Sequence, residues 1–325
     1  MENDMNELRF DGQVALITGA GRGLGKTYAT LLAARGAKVI VNDIGVAANG
    51  DALAETPADE TVAEIIAAGG TAVADRHSVV DGAAAMVKTA IEHYGRLDIL
   101  INNAGISGGG ALADIPPESY DRMVDTHFRG TVAVTRAAWQ HLVAAGQGRI
   151  VNTSSVSVFG APFTTHYASA KGAIYALTRG LAGEGKAVGI QVNCIMPDAW
   201  TRLTAQIPDE GFQALVQHYF KPEAIAAFVT WLCHRSNSLT GETFHVGGGR
   251  AGRVLLLEAS GVTASDWSPE AWVGKEAELL DATDFGTPAS MLESFIFGMQ
   301  HLNDETRAIL ASANLSTEKM EKLES

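Results

Sequence analysis

A doubly wound α/β fold, a parallel sheet covered by helices on both faces, is the architecture this sequence predicts. Three observations carry the expectation. Short apolar runs alternate with stretches of helical periodicity. The runs are too apolar for strands with one wet face, so each must be covered twice. The first run also leads straight into a glycine-rich segment and then a helix. Beyond about residue 260 the alternation stops and only helix-like pieces follow. A main domain over 1–259 is therefore expected, with a mainly helical C-terminal extension over 260–325 packed on it.

The elements follow in order. Val14–Thr18 (VALIT) is a buried strand, and Tyr28–Arg35 has helical spacing. Lys38–Asn42 is strand two, Asp59–Ala68 a helix stopped by Gly69-Gly70, and Thr71–Ala74 a short strand. Ala83–Tyr94 is helical, Leu97–Ile101 is strand four, and Ser119–Ala145 is one long helix. Arg149–Thr153, Ile190–Ile195 and Phe244–Val246 supply strands five to seven, with a helix over Tyr167–Lys186. Arg253–Glu258 is a candidate eighth strand, after Gly247-Gly248-Gly249.

Composition narrows the function. The 325 residues include 24 basic and 37 acidic ones, a formal net charge of −13, which argues against nucleic acid as a partner. Two cysteines cannot build a disulfide framework, and no Cys/His group has zinc spacing, so no metal is expected. The longest clean apolar run, Ala224–Leu232, is too short to span a bilayer. The polar, acidic first ten residues do not look like a leader peptide, and the final Leu-Glu-Ser is no targeting address. A soluble, cytoplasmic protein is expected.

Strand one runs into Thr18-Gly19-Ala20-Gly21-Arg22-Gly23-Leu24-Gly25. Glycines let the backbone turn tightly and approach a pyrophosphate, and the following helix offers unpaired N–H groups and a positive dipole end. Leu24 stands where the common GxGxxG pattern needs its third glycine, so the spacing is Thr-Gly-x-x-x-Gly-x-Gly instead. Asp43 ends strand two. A carboxylate there accepts hydrogen bonds from both adenosine ribose hydroxyls and repels a 2′-phosphate, which favours NAD over NADP. Arg22 pulls the other way.

Tyr167 and Lys171 lie four residues apart on a helix and share a face. A nearby ammonium lowers a phenol's pKa, so tyrosine becomes usable as an acid or base toward a carbonyl or alcohol. Ser154 and Ser155 end strand five and could hold the substrate oxygen. Counting forward from the strand selects Ser155; counting back from Tyr167 selects Ser154. Ser155 is preferred, because loops absorb deletions more readily than strands do.

Thr18-Gly-x-x-x-Gly-x-Gly25, Asn102-Asn103-Ala104-Gly105, Ser154-Ser155, Tyr167-x-x-x-Lys171 and Pro197, in this order, resemble the short-chain dehydrogenase/reductase family over about residues 10–250. The resemblance implies a Rossmann fold and NAD-dependent oxidoreduction of a secondary alcohol or ketone. It makes Ser155, Tyr167 and Lys171 catalytic. It assigns cofactor contacts to Gly19, Arg22, Gly23, Leu24, Gly25, Asp43, Ser78, Asn103, Tyr167, Lys171, Pro197 and Thr201. VIVNDIG (39–45), GRLDILINNAGI (95–106), VTRAAW (134–139), TWLCHRS (230–236) and FHVGGGRAGRV (244–254) resemble, within that family, the (3R)-hydroxyacyl-CoA dehydrogenase unit of type 2 multifunctional enzymes. A 3-hydroxyacyl-CoA or another hydrophobic alcohol is thus the implied substrate, and a homodimer or homotetramer the implied assembly. His127 stands where many members carry Asn, and His77 where the usual adenine-contacting Asp would be. Two rivals remain: an NAD-binding sensor without chemistry, and a structural subunit. Asp198–Tyr219 is the expected substrate lid. The aromatic and Met side chains of the extension, Trp267, Trp272, Met291, Phe295, Phe297 and Met299, are expected to be buried against something.

Overall fold

The computed structural model describes residues 7–47, 49, 51, 56–199, 210–264 and 266–313. By its internal contacts the chain divides into two units, Met1–Val254 and Leu255–Ser325.

The first unit holds an eight-stranded sheet. Its strands are β1 (Val14–Thr18), β2 (Lys38–Asn42), β3 (Thr71–Asp75), β4 (Ile99–Asn102), β5 (Gly148–Thr153), β6 (Ile190–Asp198), β7 (Thr243–Gly247) and β8 (Arg250–Val254). The spatial order is β3-β2-β1-β4-β5-β6-β7-β8. All pairings are parallel except β7–β8. Between the strands run α1 (Gly23–Ala34), α2 (Pro57–Ala67), α3 (Ala83–Tyr94), α4 (Pro117–Val124), α5 (Gly130–Ala145), α6 (Thr165–Lys186), α7 (Glu210–Tyr219) and α8 (Pro222–Cys233).

Strand period explains the two covered faces. Ala15 and Ile17 of β1 join Leu32 of α1 and Val229 of α8 in one core. Val14 and Leu16, pointing the other way, join Met86 of α3 and Val134 and Leu142 of α5 in a second. The chain leaves β1 for β2 on one side and returns for β4 on the other. The strand ends diverge there, which is where open α/β sheets hold their ligands.

Three expectations needed correction. The long helix is two, α4 and α5, joined by one π-helical turn over Asp125–Arg129. Nothing between Asp125 and Arg129 is Gly or Pro, so the break left no mark in the sequence. The eighth strand begins earlier, at Arg250, because Gly248 and Gly249 both adopt positive φ (56° and 78°) and close a two-residue hairpin from β7. Strand six extends to Asp198, three residues beyond its expected end. Of the expected lid, Trp200 and Ile207 lie outside the described residues, while Leu215 and Tyr219 on α7 are exposed.

The second unit is mainly helical. Its elements are β9 (Glu258–Ala259), α9 (Glu276–Leu279), β10 (Phe285–Gly286), α10 (Met291–Gln300) and α11 (Asp304–Ala313), with β9 and β10 antiparallel. Ser290 accepts from Glu293 N and Glu293 accepts from Ala289 N, a reciprocal cap at the start of α10. Phe297 stacks on His301 and covers Gly286. In the single chain, Trp267, Trp272, Met291 and Phe295 are exposed rather than buried.

Candidate active site

The glycine-rich loop is shaped by contacts that exclude side chains. A Cβ on Gly25 would stand 2.2 Å from the Gly19 carbonyl oxygen, and one on Gly19 would stand 2.9 Å from Ala104 Cα. Thr18 holds the loop to the end of β4, its Oγ1 accepting from the backbone N–H of Asn103 and Ala104, both at 3.0 Å. Asn103 answers with its side-chain amide, which donates to the carbonyls of Thr18 and Gly19. Arg22 precedes α1 in an extended conformation and gives the helix no side-chain cap. The first N–H groups of α1 therefore stay available. Gly23 has φ 54° and open space where a Cβ would be. An uncapped helix start behind a glycine with open space beside it suits a pyrophosphate.

Asp43 sits at the end of β2, its Oδ2 accepting from Gly21 N at 3.0 Å and its Oδ1 from Gly45 N at 2.8 Å. Each oxygen keeps a lone pair for a ribose hydroxyl. The carboxylate is thus oriented by the same loop that would hold the phosphates. Ser78 also faces the cleft. His77 does not line it; its Nδ1 lies 2.8 Å from Asp75 Oδ2.

These groups line one cleft of about 510 Å³ across the C-terminal ends of the strands. Its walls include Gly19, Arg22, Gly23, Leu24, Asp43, Ser78, Asn103, Ser155, Tyr167, Lys171 and Pro197. Gly25 stands behind the wall as a close-packing glycine. Thr201 lies outside the described residues.

Tyr167 and Lys171 enter the cleft from the first turns of α6. The two serines separate cleanly. Ser154 is buried, and its hydroxyl donates to the Lys171 carbonyl at 2.7 Å. Ser155 lines the cleft with Tyr167, and its influence on the phenol is to lower the pKa. Lys171 is 4% exposed, and its ammonium donates to the Thr153 carbonyl at 2.6 Å. Burial lowers its pKa to about 8. The lysine Nζ is 5.7 Å from the Tyr167 ring centre. In the chain by itself the phenol is nevertheless pushed up from its ordinary value by burial, with Ser155 pulling it down. Desolvation dominates, and the expected lowering by Lys171 is not among the causes that move the phenol in the chain by itself.

His127 fills the π-helical turn, fully buried against Tyr167 with ring centres 5.3 Å apart. Burial, and then Lys171, push its pKa well below the ordinary 6.5, so the imidazole is neutral. Its Nε2 lies 2.8 Å from the Ile106 carbonyl, tying α4–α5 to the segment after β4. Gly105 must be glycine here, because a Cβ would come within 2.4 Å of His127 Cε1. The sequence showed an unusual residue at this position but not this contact. It gave no sign of a second pair, Asp198 with His245, whose members are 47 residues apart.

Comparison with known proteins agrees with this geometry. Residues 13–209 match the short chain dehydrogenase family. The peroxisomal multifunctional enzyme type 2 of Mus musculus is 40% identical over 293 residues, covering 88% of this chain and 39% of that protein. The chain spans less than two thirds of the length of this relative and of a similar multifunctional enzyme from Dictyostelium discoideum. Among solved structures, a short chain dehydrogenase from Mycobacterium avium superposes with TM-score 0.72 at 38% identity, over 84% of this chain and 96% of that one. A carveol dehydrogenase from the same organism, solved in complex with NAD, superposes with TM-score 0.66 at 28% identity, over 75% of this chain and 99% of that one.

Proposed function

The chain belongs to the short chain dehydrogenase family, and from that membership we propose that it moves a hydride between NAD and a secondary alcohol or its ketone. The observation that carries the reading is the convergence of Asp43, the uncapped start of α1, Ser155, Tyr167 and Lys171 on one cleft. NAD supplies the hydride acceptor, or in reduced form the donor. The residues do the rest. Gly19, Arg22, Gly23 and Leu24 shape the pyrophosphate site, with Gly25 packed behind them, and Asp43 takes the adenosine ribose. Ser78 lies toward the adenine, and Asn103 and Pro197 line the channel, with Thr201 assigned to the nicotinamide carboxamide by family resemblance. Ser155 orients the substrate oxygen. Tyr167 gives its phenolic proton to that oxygen in reduction and takes it back in oxidation. Lys171 holds positive charge beside the phenol and reaches the nicotinamide ribose. Pushed above its usual value, the phenol is protonated at neutral pH and ready to act as an acid.

The relatives named as multifunctional enzymes favour a 3-hydroxyacyl thioester as substrate, and a hydrophobic alcohol of other origin is the alternative. A groove between α5 and α6, lined by Val132, Trp139, Leu177 and Leu181 with Arg136 and Glu184 beside them, supports assembly of copies into a dimer or tetramer. No helix among the described residues is long and apolar enough to cross a membrane. The cytoplasm remains the proposed compartment, against relatives whose names place them in peroxisomes; tagged protein followed by organelle fractionation decides. The reading is tested by supplying NAD and a panel of secondary alcohols, including 3-hydroxyacyl thioesters, and following NADH absorbance. Tight NAD binding without turnover of any alcohol would favour a cofactor sensor.

A further inference from the structure

Asp198 is a charged side chain of the cleft that the proposed reaction does not use. Asp198 ends β6 and lines the cleft between Pro197 and Ala199, with its side chain 37% exposed. Its Oδ2 lies 2.5 Å from Nε2 of His245 on the neighbouring strand β7. The strand register makes room for this arrangement. Asp198 stands opposite Gly247, where a Cβ would come 2.9 Å from Asp198 Cβ. One carboxylate oxygen is thus fixed by the imidazole, and among the described residues Oδ1 has no hydrogen-bond partner. Arg250 folds over Gly252, the residue opposite His245 on β8.

Strand order locates the group. The cleft crosses β2, β1, β4, β5 and β6, with Asp43 at one end and Asp198 at the other. Four strand spacings separate them, about 19 Å. Ser155 follows β5, one strand spacing from β6. Asp198 therefore stands at the reacting end, away from the adenosine. Among the described residues Asp198 has no Lys or Arg ion pair: Lys171 is buried with its ammonium turned to the Thr153 carbonyl, Arg22 sits at the start of α1, and Arg122 faces Asp51 of the segment after β2. Its one charged-group partner is His245, a cation only when protonated.

Resting on the proposed oxidoreduction, we infer that Asp198, oriented by His245, selects substrates by charge. Ketones and secondary alcohols whose neighbouring acyl group is neutral, such as esters and thioesters, are accepted. Substrates carrying a free carboxylate beside the reacting carbon are refused. Two like charges a few ångströms apart in a partly desolvated cleft lower binding on the order of 10- to several-hundred-fold. The carboxylate leaves a neutral ester untouched and gives a hydroxyl or amide donor something to bond.

The test compares acetoacetate with methyl acetoacetate, which differ in that charge, as substrates for NADH-dependent reduction. NADH affinity is measured separately by calorimetry. The full chain should prefer the ester by at least about 10-fold in kcat/KM. Asp198→Asn keeps the shape and an acceptor for His245 but removes the charge. It should cut the preference by at least about 10-fold, through better use of the acid. Asp198→Ser serves the same end should the first variant fail to fold. A wild-type chain that uses both ketones equally overturns the inference. So does an unchanged preference in the variants, or a chain that reduces the acid and leaves the ester unreduced. Absence of NADH binding, or NADH binding with neither ketone reduced, points instead to failure of the oxidoreductase reading.

Discussion

Replacing Lys171 by Met should change how the cofactor-free protein's stability responds to alkali. Lys171 is 4% exposed, and burial sets its pKa at about 8 rather than the ordinary 10.5. In the unfolded chain it regains the ordinary value. Below pH 8 both states carry the proton, and the folded state bears the cost of a buried ammonium. Between pH 8 and 10.5 the folded state sheds the proton while the unfolded state keeps it. The unfolded state then binds more protons, so this lysine makes stability rise with pH. From the two pKa values, its contribution grows by about 2.5 kcal/mol between pH 7 and pH 10. Other groups oppose the rise. The phenols of Tyr28 and Tyr167 and the thiols of Cys194 and Cys233 are held above their ordinary values by burial, and they lower stability as pH climbs. They are common to both proteins, so most of their effect cancels in the difference. The assay is urea unfolding of wild type and Lys171→Met at several pH values. Met, a flexible unbranched side chain, fills the site without the charge. The variant should be the more stable at pH 7, and its advantage should shrink by roughly 2–3 kcal/mol by pH 10. A difference constant to within about 0.5 kcal/mol over that range would refute the buried-ammonium argument.

Other substitutions test other parts of the cleft. Wild type should bind NAD more tightly than NADP in calorimetric titration, and Asp43→Ser should narrow that preference by at least about 10-fold, since the carboxylate that repels a 2′-phosphate is gone. Gly25→Ala drives a methyl group to within 2.2 Å of the Gly19 carbonyl oxygen. It should cost about 1–3 kcal/mol in urea unfolding and weaken NAD binding as the loop shifts. Removal of residues 261–325 should leave NAD affinity within about 2-fold, because the proposed cofactor residues all precede them. It should change turnover or mass in solution, because the exposed Trp267, Met291 and Phe295 are the kind of apolar surface that finds a partner. Unchanged turnover and mass would make the extension a passive appendage.

What was legible in the sequence was local. VALIT followed by glycines, and Tyr167 four residues before Lys171, announce themselves through period and spacing. Parallel strands buried on both faces leave long apolar runs, so β1, β2 and β4 were placed to within two residues. The hidden part was set by contacts far apart in sequence. His127 meets Ile106 from within a π turn that has no Gly or Pro inside it to announce it. Asp198 meets His245 only because β6 and β7 are neighbours in register. The serine ambiguity belonged to the same class. Counting alone gave both serines and only the tolerance of loops to deletion favoured Ser155; in the structure the Ser154 hydroxyl is bonded to the Lys171 carbonyl while Ser155 lines the cleft.

The central claim is that Tyr167 transfers the proton while NAD takes or gives the hydride. Its most direct test is the turnover of Tyr167→Phe on whichever alcohol the wild type oxidises best, read as NADH absorbance, with NAD affinity measured alongside. The ring and its packing against His127 are kept, and the ionisable oxygen is lost. Turnover should fall by roughly 10²–10⁴-fold with NAD affinity nearly unchanged. Turnover within a few-fold of wild type would contradict the account.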